Sequence, residues 1–169
     1  MFGFLASEMK SSSASRPAVS NVAPMTEATE PVHPPRPARS ALMLLGWLAL
    51  SFCAAAIGSF FMPGEWYAGL QKPSWNPPKW IFGPVWTALY TTMAVAAWLV
   101  WKRGGWARQR MALTIFLVQL GLNALWSPLF FGMQNPALAF VDILLLWLAL
   151  LATAAAFWRS HPLAGVLLV

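Results

Sequence analysis

Charge is scarce in this chain. Only 9% of its 169 residues are Asp, Glu, Lys or Arg, against about 25% in an ordinary soluble domain, so water cannot be the solvent for most of its surface. Cysteine is almost missing as well. Cys53 stands alone, which excludes an intramolecular disulfide and a cysteine-based metal cluster. The two histidines, His33 in a proline-rich stretch and His161 beside Pro162, are too few and too scattered to assemble a metal site. Asp142 is the one carboxylate within an apolar run, so general acid–base catalysis by a carboxylate pair has no second member. It lies near the end of that run, where snorkelling, a neutral state or a functional role would each account for it.

What abounds is apolar: 59% of the chain is hydrophobic and 14% aromatic. Four apolar stretches cover 41–62, 80–101, 111–132 and 137–158. Each makes a helix of about 33 Å at about 1.5 Å per residue, enough to cross a hydrocarbon core about 30 Å thick. Helices are the expected form, because in lipid every backbone N–H and C=O must be satisfied within its own segment. The alternation of a barrel strand is absent from the sequence. The fold expected is therefore an all-α membrane protein, a transmembrane helix bundle of four complete spans, in a multi-pass protein of the lipid bilayer.

Both ends of the chain differ from this pattern. Residues 1–39 are rich in Ser, Pro and Ala, a composition that buries too little surface to offset the entropy of ordering, and are read as a disordered tail before a transmembrane domain over 40–169. The tail has no apolar core of the kind a secretory signal carries. After Pro162 the run 163–169 reaches only about 10 Å as a helix. It reads as the start of a fifth helix that the chain does not complete, and a version extended by that helix is expected to be more stable.

The net charge of +6 does not indicate a nucleic-acid partner, because the basic residues are spread thinly at the ends of apolar runs. Arg36, Arg39, Lys102, Arg103, Arg108, Arg110 and Arg159 fall on one side of a four-span topology, and Lys72 and Lys79 on the other. The positive-inside rule then places the N-terminus in the cytoplasm and the loop 63–79 outside.

That loop, Pro63 to Trp80, holds four prolines and four large aromatics. Proline limits backbone freedom and aromatic rings supply wide apolar faces, so the segment suits a lid over a flat hydrophobic ligand. Tryptophan also gathers at membrane surfaces whatever the function, and Trp47, Trp98, Trp101, Trp106 and Trp158 are assigned to such a belt. In the third span Gln119, Asn123, Trp126, Ser127 and Phe130 share one helical face. Such a face either bonds a neighbouring helix or lines a pocket. Pro128 is expected to bend the helix and widen the bundle beside it.

Several motifs resemble the translocator protein family, also called tryptophan-rich sensory proteins or peripheral-type benzodiazepine receptors. They are Trp66-Tyr67, the run Lys72-Pro73-Ser74-Trp75-Asn76-Pro77-Pro78, Val85-Trp86-Thr87 with Leu89-Tyr90, Gln119-Leu120 with Leu122-Asn123, Trp126-Ser127 and Phe130-Phe131-Gly132. The resemblance covers about residues 40–169. It implies a five-helix bundle that binds porphyrins such as protoporphyrin and haem, and in some members sterols and drugs. It places the ligand at Tyr67, Pro77, Trp86, Asn123, Trp126 and Ser127, beneath a lid formed by Trp66, Trp75, Asn76 and Pro78. The tetrapyrrole would be a ligand, with no cofactor, metal or catalytic residue required, and a homodimer is a further expectation. The reading adopted is a binding or sensory protein that regulates or transports tetrapyrroles. The alternative is an enzyme that degrades porphyrin in light and oxygen, using the same pocket.

Overall fold

The computed structural model describes residues 37–71 and 78–169. Among these described residues six helices follow one another: α1 (Pro37–Ser59), α2 (Glu65–Gly69), α3 (Phe82–Trp101), α4 (Gly105–Ser127), α5 (Pro136–Ser160) and α6 (Pro162–Val166). A 3₁₀ turn, Lys79–Ile81, leads into α3, and a π turn, Pro128–Gly132, extends α4. No strand occurs among the described residues. Four helices are long and apolar enough to cross a membrane: α1, α3, α5 and the continuous segment Gly105–Gly132.

The helix limits follow local chemistry. Asn135 caps α5, its side chain accepting from the Leu138 N–H at 3.0 Å, and Pro136 occupies the first turn, where a missing N–H costs nothing. The third span begins at Gly105 rather than near 111, because the helix runs past the apolar stretch through Arg108, Gln109 and Arg110. A kink at Gln109 (φ −114°, ψ 15°) marks that passage. The first span likewise begins at Pro37, so the last three residues assigned to the tail are helical; residues 1–36 lie outside the described residues. At Pro128 the helix widens instead of stopping. Proline has no N–H to offer the preceding turn, and the Met133 N–H reaches the Pro128 carbonyl at 2.8 Å, a π-type bond.

The bundle packs α1 against α3 and α4, α5 against α4, and α6 against α5 and α3. The α3 face in the interior is built largely from small residues, with Ala94, Ala96, Ala97 and Val100 fully buried. Small side chains let helix backbones approach closely, which is the main source of attraction between helices in lipid. Gly58 is such a point on α1: a Cβ there would stand 3.2 Å from the Ser127 Oγ of α4. A chain of rings ties three helices together, with Trp47 edge-on to Phe116 at 5.7 Å and Phe116 also 5.7 Å from Phe157.

Two belt assignments are overturned here. Trp47 and Trp101 are buried inside the bundle, because their helices turn those positions toward the interior. Trp98 is half-buried and donates its indole N–H to the Ser40 carbonyl at 2.9 Å. Trp106 and Trp158 are exposed, as a belt requires. The outer face of α5, with Leu144, Leu145, Trp147, Leu148 and Leu151, is also exposed and fits lipid as its solvent.

Candidate ligand site

At the loop end of the bundle the aromatic residues gather in two groups. The first forms where α2 lies over the π turn. Trp66 meets Phe130 edge-on at 5.6 Å, and Tyr67 meets Phe130 at 6.3 Å and Phe131 at 5.5 Å. Trp126 stacks on Phe130 at 5.1 Å with planes 8° apart, and Phe131 stands nearly perpendicular to both Trp126 and Phe130. Each such pair contributes about 0.5–1.5 kcal/mol beyond its buried area. Together they hold the short α2 helix in place although none of its residues is fully buried.

The second group joins α3 to α4 and α1. Trp86 and Tyr90, one turn apart on α3, have ring centroids 5.9 Å apart, and Phe52 of α1 lies 6.4 Å from Tyr90. The buried Tyr90 hydroxyl donates to the Asn123 Oδ1 at 2.6 Å. Asn123 therefore bonds a neighbouring helix, and its two amide N–H donors and the second lone pair of its oxygen remain for a ligand. Trp86 is 43% exposed, and its ring is only partly covered.

The residues named from sequence are thus distributed unequally. Trp66, Tyr67 and Trp126 come together through Phe130 and Phe131, and Trp86 and Asn123 through Tyr90. Ser127 stands against Gly58, at the α1–α4 contact rather than among the rings. Pro78 is exposed, its carbonyl accepting from the Ile81 N–H at 3.1 Å to start the 3₁₀ turn. Trp75, Asn76 and Pro77 lie outside the described residues. Tyr90, quoted only within a family motif, and the α5 residues beside Trp126 were not named as site residues from sequence. A tyrosine four residues after an aromatic on one helix face was the signal available for the former.

An apolar groove of about 200 Å³ runs between Trp126, Phe130, Pro136, Ala139, Phe140 and Ile143. Sites for drug-sized ligands occupy about 300–1,000 Å³, so this groove suits a slender apolar group and not a tetrapyrrole. Two polar side chains lie deeper. Gln119 is buried with its carbonyl oxygen unpaired, and Asp142 is only 4% exposed with neither carboxylate oxygen partnered. Snorkelling is thereby excluded for Asp142, whose position on α5 points it into the bundle. Among the described residues no group of His, Cys, Asp or Glu could hold a metal ion.

The profile of the TspO/MBR family matches residues 46–169. The chain belongs to that family. It is 47% identical to the translocator protein of Homo sapiens over 117 residues, covering 66% of this chain and 69% of that protein. The tryptophan-rich protein TspO of Archaeoglobus fulgidus is 43% identical over 129 residues, covering 75% and 80% of the two chains. The tryptophan-rich sensory protein of Cereibacter sphaeroides is 41% identical over 127 residues, covering 75% and 78%. Membership and four spanning helices make this an integral, multi-pass membrane protein.

Proposed function

We propose that this TspO/MBR-family protein binds a tetrapyrrole such as protoporphyrin or haem at its loop end, and so senses, regulates or carries it; sterols are a second ligand class. The observation that carries the reading is the half-exposed Trp86 ring, 5.9 Å from the Tyr90 whose hydroxyl bonds Asn123, at the same end of the bundle as the Trp66–Tyr67 helix that packs on Phe130 and Phe131. A flat macrocycle needs ring faces for stacking and a few fixed polar groups at its edge. In this reading Trp86 supplies a ring for stacking, the Asn123 amide supplies polar groups, and the Trp66–Tyr67 helix serves as the lid. The names of relatives, a translocator and a sensory protein, accord with a molecule that holds a ligand rather than one that turns it over.

Titration of the purified protein with protoporphyrin in the dark, followed by illumination in air, tests this reading. Saturable tryptophan quenching with the porphyrin absorbance retained under light is the result expected of a binder. Light-driven loss of the porphyrin that disappears in Trp86→Phe would assign the pocket to an oxidising enzyme instead.

A further inference from the structure

We propose that the opposite end of the bundle, where α1 begins and α3 ends, is a binding site for the phosphate of an anionic phospholipid headgroup. Six basic residues belong to this end: Arg39, Lys102, Arg103, Arg108, Arg110 and Arg159. The two described carboxylates are elsewhere. Glu65 opens α2 and Asp142 lies in the half of α5 nearer Pro136.

Three contacts turn part of this charge into a built site. The Arg39 guanidinium lies 5.7 Å from the centroid of the buried Trp101 ring, and the Lys102 ammonium 4.5 Å from that of Trp98. Trp98 is itself fixed to α1 through its 2.9 Å bond to the Ser40 carbonyl. The third contact is at the α3–α4 turn, where Gly104 adopts φ 138°, open chiefly to glycine. A Cβ at that position would lie 2.6 Å from the Arg108 Cδ, so the Arg108 stem is folded back over the turn that carries Lys102 and Arg103.

The consequence is preorganisation. An arginine held over an aromatic ring by a cation–π contact still has N–H donors for the oxygens of a phosphate, and has already lost part of its rotamer freedom. The lysine ammonium, held over Trp98 one helical turn before Trp101, adds a point charge. The site stands where two spanning helices terminate, at the end where the basic residues collect, so a lipid phosphate reaches it directly. This assignment is independent of the ligand proposed for the loop end.

The test is native mass spectrometry of the full chain in neutral detergent with equal amounts of phosphatidylglycerol and phosphatidylcholine. Preferential retention of one phosphatidylglycerol is expected. Arg39→Gln and Lys102→Gln should each weaken that retention about five-fold, equivalent to the ~1 kcal/mol that a basic residue gains at an anionic membrane surface. Lys102→Arg, which keeps the charge, should retain it, and Arg159→Gln, away from the rings, should alter it by less than about two-fold. Circular dichroism checks that each variant keeps its helices. An equal loss in Arg159→Gln, showing diffuse attraction only, would overturn the proposal. So would the absence of any preference between the two lipids, or displacement of the lipid by an equal concentration of inorganic phosphate.

Discussion

Replacing Trp86 by Ala and, separately, Trp47 by Ala separates the ligand site from the core. Trp86 is 43% exposed and touches Tyr90 at 5.9 Å, so its loss removes about 0.5–1.5 kcal/mol of ring contact from the fold. It also removes the ring on which the ligand is proposed to stack. Stacking of a nucleic-acid base on an aromatic side chain is worth about 1–3 kcal/mol, and on that scale a porphyrin should bind about 5- to 150-fold more weakly. Trp47 presents the reverse case. It is 7% exposed and packed edge-on against Phe116, so truncation should cost about 3–5 kcal/mol of stability while leaving the affinity of the folded fraction nearly unchanged. Both quantities are measurable in one detergent: dissociation constants by tryptophan quenching with protoporphyrin, and stability from the unfolding midpoint. The reasoning is refuted if Trp86→Ala binds as tightly as the parent, or if Trp47→Ala weakens binding while its midpoint stays put.

The Tyr90–Asn123 bond should show in a double-mutant cycle, with Tyr90→Phe and Asn123→Ala coupled by about 1 kcal/mol in stability; additive effects would mean that the two side chains do not interact. Gly58→Leu should destabilise the bundle by about 1–3 kcal/mol, since its side chain must enter the space held by Ser127, and an unshifted unfolding midpoint would contradict that close approach. Topology is open to labelling. In a Cys53→Ala background, Ser74→Cys should react with an impermeant thiol reagent on intact cells, whereas reaction at Ser11→Cys instead would reverse the assigned orientation.

How far the sequence led depends on the kind of feature. Spans were legible because bilayer thickness sets a minimum length for an apolar run, and the stretch beginning at 137 met the start of α5 within a residue. The rotation of each helix was not. In a membrane both the lipid-facing and the bundle-facing sides are apolar, so the pattern that separates inside from outside in a soluble helix is weak. Trp47 and Trp101 were placed in the belt for that reason and lie in the interior instead. Asp142 could be seen as costly but not as buried. The helical face from Gln119 to Ser127 was legible from spacing alone, yet its members divide: Gln119 is sealed in the core, Asn123 pairs with Tyr90, and Ser127 meets Gly58. The contact of Phe130 and Phe131 with α2 depends on the π turn, whose presence Pro128 suggested only as a bend.

The most direct test of the central claim is an equilibrium titration of the full chain with protoporphyrin in the dark, beside the double variant Trp86→Ala/Asn123→Ala. Saturation at one porphyrin per chain, with an affinity at least ten-fold weaker in the double variant (about 1.4 kcal/mol or more), is the predicted result. Unsaturable uptake of the same size in both proteins would show partitioning into the detergent and the apolar surface, and would contradict a site at the loop end.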